Sequence, residues 1–446
     1  MRALVRTIAL GTWALAGPAN HAADTSPGPS ASGEALARQY CAACHLFPAP
    51  ELLDRRTWAT TTLRRMAPML GAARLNLDTR PDGEFLREAA LFPEHPLLPE
   101  ADWRAIGEYY LRNAPETAPP QAPSTAIAPT TPLFRAEAIS VANVEPAITL
   151  VRIEPSENPV PARWRRRDGA SSGPDPATRE PRRLFLGDAR RRALHVLSGR
   201  LELLSSTPVA SPPVGLTRAG DHFLLGLIGD LFPSDLRSGG IVELRRTSEG
   251  FATRPVLAGL RRPVDCDLAD IDGDGSDDLV VAEFGNYLGG LTAFRRRGDG
   301  YLAPDGLIDF PGAIRTEVVD LGGDGLPDLV TLFGQAREGV YRLRNRGRGA
   351  FEWVPWLHFP PSYGCTGFEI VDFDGNAYPD LLLTNGDNGD YPSPFKNYHG
   401  IRLFLGDGPD RFSQAWFHPM NGAFKAVARD FDGDGDLDVA AISFFP

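Results

Sequence analysis

Five consecutive residues, Cys41-Ala-Ala-Cys44-His45, set two thiols and an imidazole at a spacing suited to redox chemistry. In an exported chain, C-x-x-C-H predicts covalent haem attachment. Both sulfurs reach the vinyl groups of one porphyrin, and His45 turns under the iron as axial ligand. A zinc knuckle would need a second ligand pair, and the remaining cysteines, Cys266 and Cys365, lie far along the chain. A thioredoxin-like pair would sit in a βαβ pattern, which the flanking sequence lacks. One haem c is therefore expected. Its sixth ligand is expected to be Met66, with Met69 as the alternative and His95, in a proline-flanked loop, as a further one.

A second chemistry is written four times. Asp270-Ile-Asp272-Gly-Asp274-Gly-Ser-Asp-Asp278 sets carboxylates at the first, third, fifth and ninth positions of a tight loop. Oxygen donors at alternate positions of a glycine-bent loop suit a hard cation, and Ca²⁺ tolerates irregular geometry better than Mg²⁺. An EF-hand would need a bidentate Glu at the twelfth position, where Val281 stands. Related loops carry Asp320, Asp324 and Asp328, then Asp372, Asp374, Asn376 and Asp380, then Asp430, Asp432, Asp434 and Asp438. Their first aspartates follow at intervals of 50, 52 and 58 residues, and each loop feeds an apolar run such as Leu279-Val280-Val281-Ala282. That period is the length of a four-stranded propeller blade. Up to four Ca²⁺ ions are expected, more weakly where Gly322 and Asn376 replace carboxylates.

Outside those loops, Asp387, Asp390, Lys396 and His399 gather just after the apolar run 381–384. They could supply acid, base and cation at a blade end. The turn pairs Asn385-Gly386 and Asn388-Gly389 favour a plain connecting loop. No G-x-S-x-G, nucleotide loop or H-E-x-x-H pattern occurs.

Residues 1–23 read as a signal peptide: Arg2 and Arg6 precede the apolar stretch Ile8–Ala16, and Ala19, Ala22 and Ala23 offer cleavage points. A periplasmic or secreted location follows, where Ca²⁺ can fill weak sites. No segment reads as long enough to span a membrane. Residues 31–115 predict short helices, with Ser32 capping the one that runs into Cys41, and Trp103, Ile106 and Tyr110 sharing a face of the last. Residues 116–132 form a stiffened Pro-rich linker. From 133 to 446 the pattern changes to short strands, interrupted by a polar loop over 154–181. The formal net charge of −11, from 57 acidic and 46 basic side chains, excludes nucleic acid as an expected partner. The sequence stops one strand past its final aspartate loop. An incomplete last blade is expected, left by a fragment or closed by the stretches 133–139 and 147–153.

Residues 31–115 resemble a small class I cytochrome c, on the strength of C-x-x-C-H and the helix order. The loops from 262 onward, with the pairs Phe284-Gly285 and Phe333-Gly334, resemble FG-GAP/VCBS propeller repeats. The combined order resembles exported bacterial cytochrome–propeller proteins. These resemblances imply a small all-α cytochrome c domain followed by an all-β propeller of about six or seven blades. They imply an exported haem electron-transfer protein whose Ca²⁺-binding propeller docks a redox partner protein or extracellular ligand. Two other readings stay open. One is a haem-linked oxidoreductase with a substrate or quinone-type cofactor site on the propeller; the other is an adhesion or polysaccharide-binding module.

Overall fold

The computed structural model describes residues 32–121, 145–154, 182–389 and 393–444, together with 134, 138, 139 and 141. The expected signal peptide, most of the linker and the loop over 155–181 lie outside the described residues. So does most of the stretch 133–139.

Strands succeed one another in antiparallel sheets. The first sheet holds β1 (Ile148–Glu154), β2 (Arg183–Asp188), β3 (Ala193–Ser198) and β4 (Leu203–Pro208). The second holds β5 (Pro213–Ala219), β6 (His222–Leu227), β7 (Gly239–Thr247) and β8 (Gly250–Leu260). In the third are β9 (Pro263–Ala269), β10 (Asp278–Glu283), β11 (Gly290–Phe294) and, past a small hairpin of β12 (Arg296–Arg297) and β13 (Gly300–Tyr301), β14 (Asp305–Ile308). The fourth comprises β15 (Ala313–Val319), β16 (Asp328–Phe333), β17 (Gly339–Asn345) and β18 (Phe351–His358). The fifth comprises β19 (Cys365–Val371), β20 (Asp380–Asn385), β21 (Gly400–Gly408) and β22 (Arg411–Pro419). The last sheet has two strands, β23 (Ala423–Arg429) and β24 (Asp438–Ser443).

Each sheet packs on the next through an apolar layer. Leu332 and Val340 of the fourth meet Phe368, Leu381 and Leu383 of the fifth, and Val280 and Leu291 of the third meet Leu329 and Phe333 of the fourth. A strand pressed between two neighbours is buried on both faces, which is why β10, β16 and β20 read as continuous apolar runs. First strands surround a common axis. Arg152 of β1 and Arg315 and Glu317 of β15 lie within electrostatic reach of Asp265 and Asp267 of β9 on one side and of Lys425 of β23 on the other. Beside the last sheet, Ile401, Leu403, Trp416, Met420, Leu437 and Val439 line an apolar cavity of about 660 Å³. Cys266 and Cys365 are buried free thiols in separate sheets.

Among the described residues the helices are few and short: α1 (Gly33–Cys41), α2 (Arg55–Thr57), α3 (Leu63–Met66), α4 (Gly83–Glu88) and α5 (Glu100–Asn113). Ser32 caps α1, its hydroxyl accepting from Ala35 N. At the crossing of α1 and α5 a Cβ on Gly33 would stand 2.3 Å from Ala105 O, so only glycine permits this approach. Trp58 lies tilted against Tyr110, ring centroids 4.2 Å apart, over the small core of Leu36, Ala37 and Ile106.

The expectation of a separate all-α domain preceding the propeller is corrected here. The molecule is mostly β-sheet, and its helical turns lie against the sheets rather than standing apart. Asp82 accepts from Asp235 N at 3.0 Å, Phe92 packs edge-on against Tyr287, and the Arg237 guanidinium covers Phe85. Tyr398 Oη donates to Leu52 O at 3.1 Å, and Gln121 Nε2 donates to His399 O at 2.6 Å. The physical reason is size. Helices this short bury too little surface by themselves and complete their burial on the propeller.

All these contacts use the loops joining second to third strands, at 228–238, 284–289 and 386–399. The aspartate loops join first to second strands. They therefore lie at the opposite end.

Candidate functional site

Cys41 ends α1 and is half-buried, while Cys44 is exposed and both thiols are free. Burial pushes the Cys41 thiol up, and the Tyr110 hydroxyl lies beside it. Nδ1 of His45 meets Leu46 O at 2.8 Å. A carbonyl can only accept, so Nδ1 carries the proton and Nε2 is the nitrogen left to ligate. Burial lowers the His45 pKa and keeps the ring neutral. Arg337, in the loop 334–338, donates from Nε to Cys44 O at 3.2 Å. It fixes the turn on the fourth sheet. Two free thiols and an imidazole with an open Nε2 fit a covalent haem.

Met66 ends α3 and Met69 sits in the 3₁₀ turn Pro68–Leu70, both half-buried. The next residue but one, Gly71, has φ +68° and abuts the backbone of His95. Leu97 N donates to Leu70 O at 3.0 Å. The fold thus brings the Met69 turn and the His95 loop together.

In three of the four aspartate loops the carboxylates converge. Oxygens of Asp270, Asp272 and Asp278 lie within 4.8 Å of one another, as do those of Asp372, Asp374 and Asp380 and those of Asp430, Asp432 and Asp438. These donor sets fit a hard cation. The ninth aspartate also has a local task, since Asp278, Asp380 and Asp438 accept from the amides of Ile271, Phe373 and Phe431. Asp274 instead pairs with Arg297, which also reaches Asp272 at 2.9 Å. Asn376 turns its amide to Asp374 and Gly406 O, and Asp434 accepts from Asp436 N. At the second loop the carboxylates do not gather. Asp320 accepts from Gly325 N, Asp324 from Leu326 N, and Asp328 is committed to Arg342 at 2.6 Å and Asn345 N at 2.7 Å. Neither Arg297 nor Arg342 is signalled by the repeat, because each comes from a strand beyond the loop.

Of the last cluster, Asp390 lies outside the described residues. Lys396 is buried and donates to Asp387 O at 3.3 Å. His399 is fully buried, and burial followed by the charges of Lys396 and Arg402 pushes its pKa down to about 3. Sequence reasoning missed Glu338. It is buried in the same loop as Arg337 and accepts from Cys365 N at 3.1 Å. Burial pushes its carboxyl up to about 8. Asn385 bridges Cys365 Sγ and Arg402, donating at 3.1 Å and accepting at 2.6 Å.

An FG-GAP-like repeat model matches residues 270–331 and 320–383. With the sheet order, these repeats make the β-rich part a β-propeller. No curated protein matches the chain. Three solved structures are similar to it at low identity. BBS1N in complex with ARL6DN is 11% identical, covering 58% of this chain and 70% of that one at a TM-score of 0.35. A gluconolactonase from Xanthomonas campestris is 17% identical, covering 46% and 66% at 0.31. The dihydro-heme d1 dehydrogenase NirN is 13% identical, covering 92% and 72% at 0.35.

Proposed function

We propose that the protein is an exported electron carrier in which one haem c, tethered by Cys41 and Cys44 and ligated by His45, rides on a Ca²⁺-binding propeller that docks a redox partner protein. The supporting observation is the C-x-x-C-H turn itself: two unbridged thiols, His45 with Nδ1 engaged by Leu46 O, and Arg337 holding the Cys44 carbonyl. When bound, the haem supplies a reversible one-electron couple. The chain's own residues position and shield it. Tyr110, Trp58 and Phe47 pack behind the Cys41 end of α1, and Met66 is the proposed sixth ligand, with Met69 as the alternative. The carboxylates of the first, third and fourth aspartate loops would hold Ca²⁺ at the far end of the propeller, in a periplasmic or secreted setting.

The test is export of the full chain in a host that matures c-type cytochromes, followed by denaturation and extraction of loose pigment. Haem that stays on the polypeptide, and is lost in the Cys41→Ala, Cys44→Ala double variant, supports the reading. A colourless or fully extractable product refutes it.

A second reading, a haem-linked oxidoreductase, is favoured by the buried group of Glu338, Lys396 and His399 on the helix-bearing end. Reduction of the haem by added sugars, alcohols or aldehydes would select it over a pure carrier.

A further inference from the structure

Among the described residues β24 pairs with β23 and with no further strand. Its counterparts in the neighbouring sheets are held from both sides, β16 between β15 and β17 and β20 between β19 and β21. Burial records the difference. β16 and β20 are buried throughout, whereas β24 is only half-covered and its Ile442 is 60% exposed. The apolar cavity of about 660 Å³ has Ile401, Leu403 and Trp416 of the fifth sheet on one wall and Val439 and Ala441 of β24 on the other. A strand edge bordering an apolar groove is a template for one more strand.

The chain itself is anchored at both ends of this groove. Gln121 Nε2 donates to His399 O at 2.6 Å, in the loop that joins β20 to β21 on the helix-bearing end. Phe134, the next described residue, packs edge-on against Phe431 with ring centroids 5.3 Å apart. Phe431 belongs to the fourth aspartate loop, on the opposite end. Residues 122–133 lie outside the described residues and connect these two anchors. Fully extended, such a stretch reaches about 40 Å, while six-residue β24 is about 20 Å long, so the length suffices.

We propose that Ser124-Thr-Ala-Ile-Ala128 adds to the outer edge of β24 as an antiparallel third strand, with Ile127 seated in the cavity. The direction agrees. β24 runs from the aspartate loop towards the helix-bearing end, and the stretch from Gln121 to Phe134 runs back. The prolines agree as well. Pro123 and Pro129 stand six residues apart, so in a strand both turn the position lacking an N–H to the same side. An edge strand tolerates that on its outward side. Ser124, Ala126 and Ala128 then turn their N–H and C=O groups towards β24. Ile127 is the one large apolar residue between Gln121 and Leu133, and it matches an apolar cavity. The docking goes beyond the electron-carrier reading and does not need haem.

The experiment is hydrogen exchange of the full chain followed by mass spectrometry. Peptides within 122–133 should exchange at least about fivefold slower than an unstructured chain, the worth of about one net hydrogen bond. Two proline variants read the pairing. Thr125→Pro removes an N–H turned away from β24 and should keep the protection. Ala126→Pro removes one turned towards β24 and should speed exchange in 122–133 and in 438–443 together, by about fivefold or more. Ile127→Asp, which puts a carboxylate into the cavity, should do the same without touching the backbone. Exchange of 122–133 at the unstructured rate overturns the proposal. So do proline variants that behave alike, or protection of 438–443 that grows with protein concentration, the mark of a second copy on that edge.

Discussion

Arg337 Nε donates to the carbonyl oxygen of Cys44 across 3.2 Å, joining residues on opposite sides of the contact between helices and propeller. The same guanidinium covers the Phe310 ring at 5.3 Å, so its position is fixed from the sheet side. Arg337→Ala should loosen the C-x-x-C-H turn without unfolding the sheets. The bond is exposed, so the expected cost is about 1 kcal/mol, seen as faster proteolysis within residues 32–121. Unchanged cleavage kinetics would show that the contact is idle.

Asp235 carries more weight. Its carboxylate accepts from Asn286 N, Tyr287 N and Leu288 N between 2.8 and 3.0 Å, and its own amide donates to Asp82. Asp235→Ala leaves three amides without their acceptor. A loss of about 3 kcal/mol or more is expected in denaturant titration. The loop 284–289 should then lose amide-exchange protection before the strands do.

Calcium should raise the propeller's melting temperature, and chelation should lower it. At free Ca²⁺ about one hundred times Kd, each occupied site adds about 2.7 kcal/mol. Asp430→Ala and Asp270→Ala should remove Ca²⁺-dependent stability. Asp320→Ala should remove little, because Asp328 is already engaged by Arg342 and Asn345. Equal melts in Ca²⁺ and chelator would end the calcium reading.

In haem-loaded protein, Met66→Ala should abolish the weak near-infrared band of a methionine–iron bond, and Met69→Ala should keep it. The reverse result reassigns the ligand to the turn beside His95.

Glu338 supplies a pH signature. Its carboxyl rises from 4.5 to about 8 in the fold, so the folded state holds a proton that the unfolded chain has lost. That contribution is complete below pH 4.5 and disappears as pH climbs through 8. Asp265, pushed up to about 6 by burial, titrates in part of the same window, so a difference measurement is needed. Glu338→Gln should flatten the fall in melting temperature between about pH 5 and 8 relative to the parent. Parallel curves would mean that Glu338 ionises normally.

What the sequence revealed follows the range of the interactions involved. Aspartate spacing and the apolar run behind each loop are local, so β10, β16, β20 and β24 could be placed from the repeat alone. Strands without a loop signal, such as β3 and β6, showed only as short apolar runs. Asp328 reads as a metal ligand until Arg342, on the next strand, is seen to claim it. The docking of the helices was hidden for the same reason. Tyr398 meets Leu52 and Gln121 meets His399 across hundreds of residues, and no periodicity records such pairs. Glu338 looks like an ordinary turn carboxylate, since only the surrounding sheets make it buried.

The aspartate loops and the C-x-x-C-H turn sit at opposite ends of the propeller. A mineral face or acidic polymer that grips the molecule through Ca²⁺ at the loop end would leave Cys44 and His45 pointing away from the support. Adsorbed films would then be oriented rather than random. Current drawn from such a film should depend on which end meets the electrode, and adding a chelator should scramble that orientation.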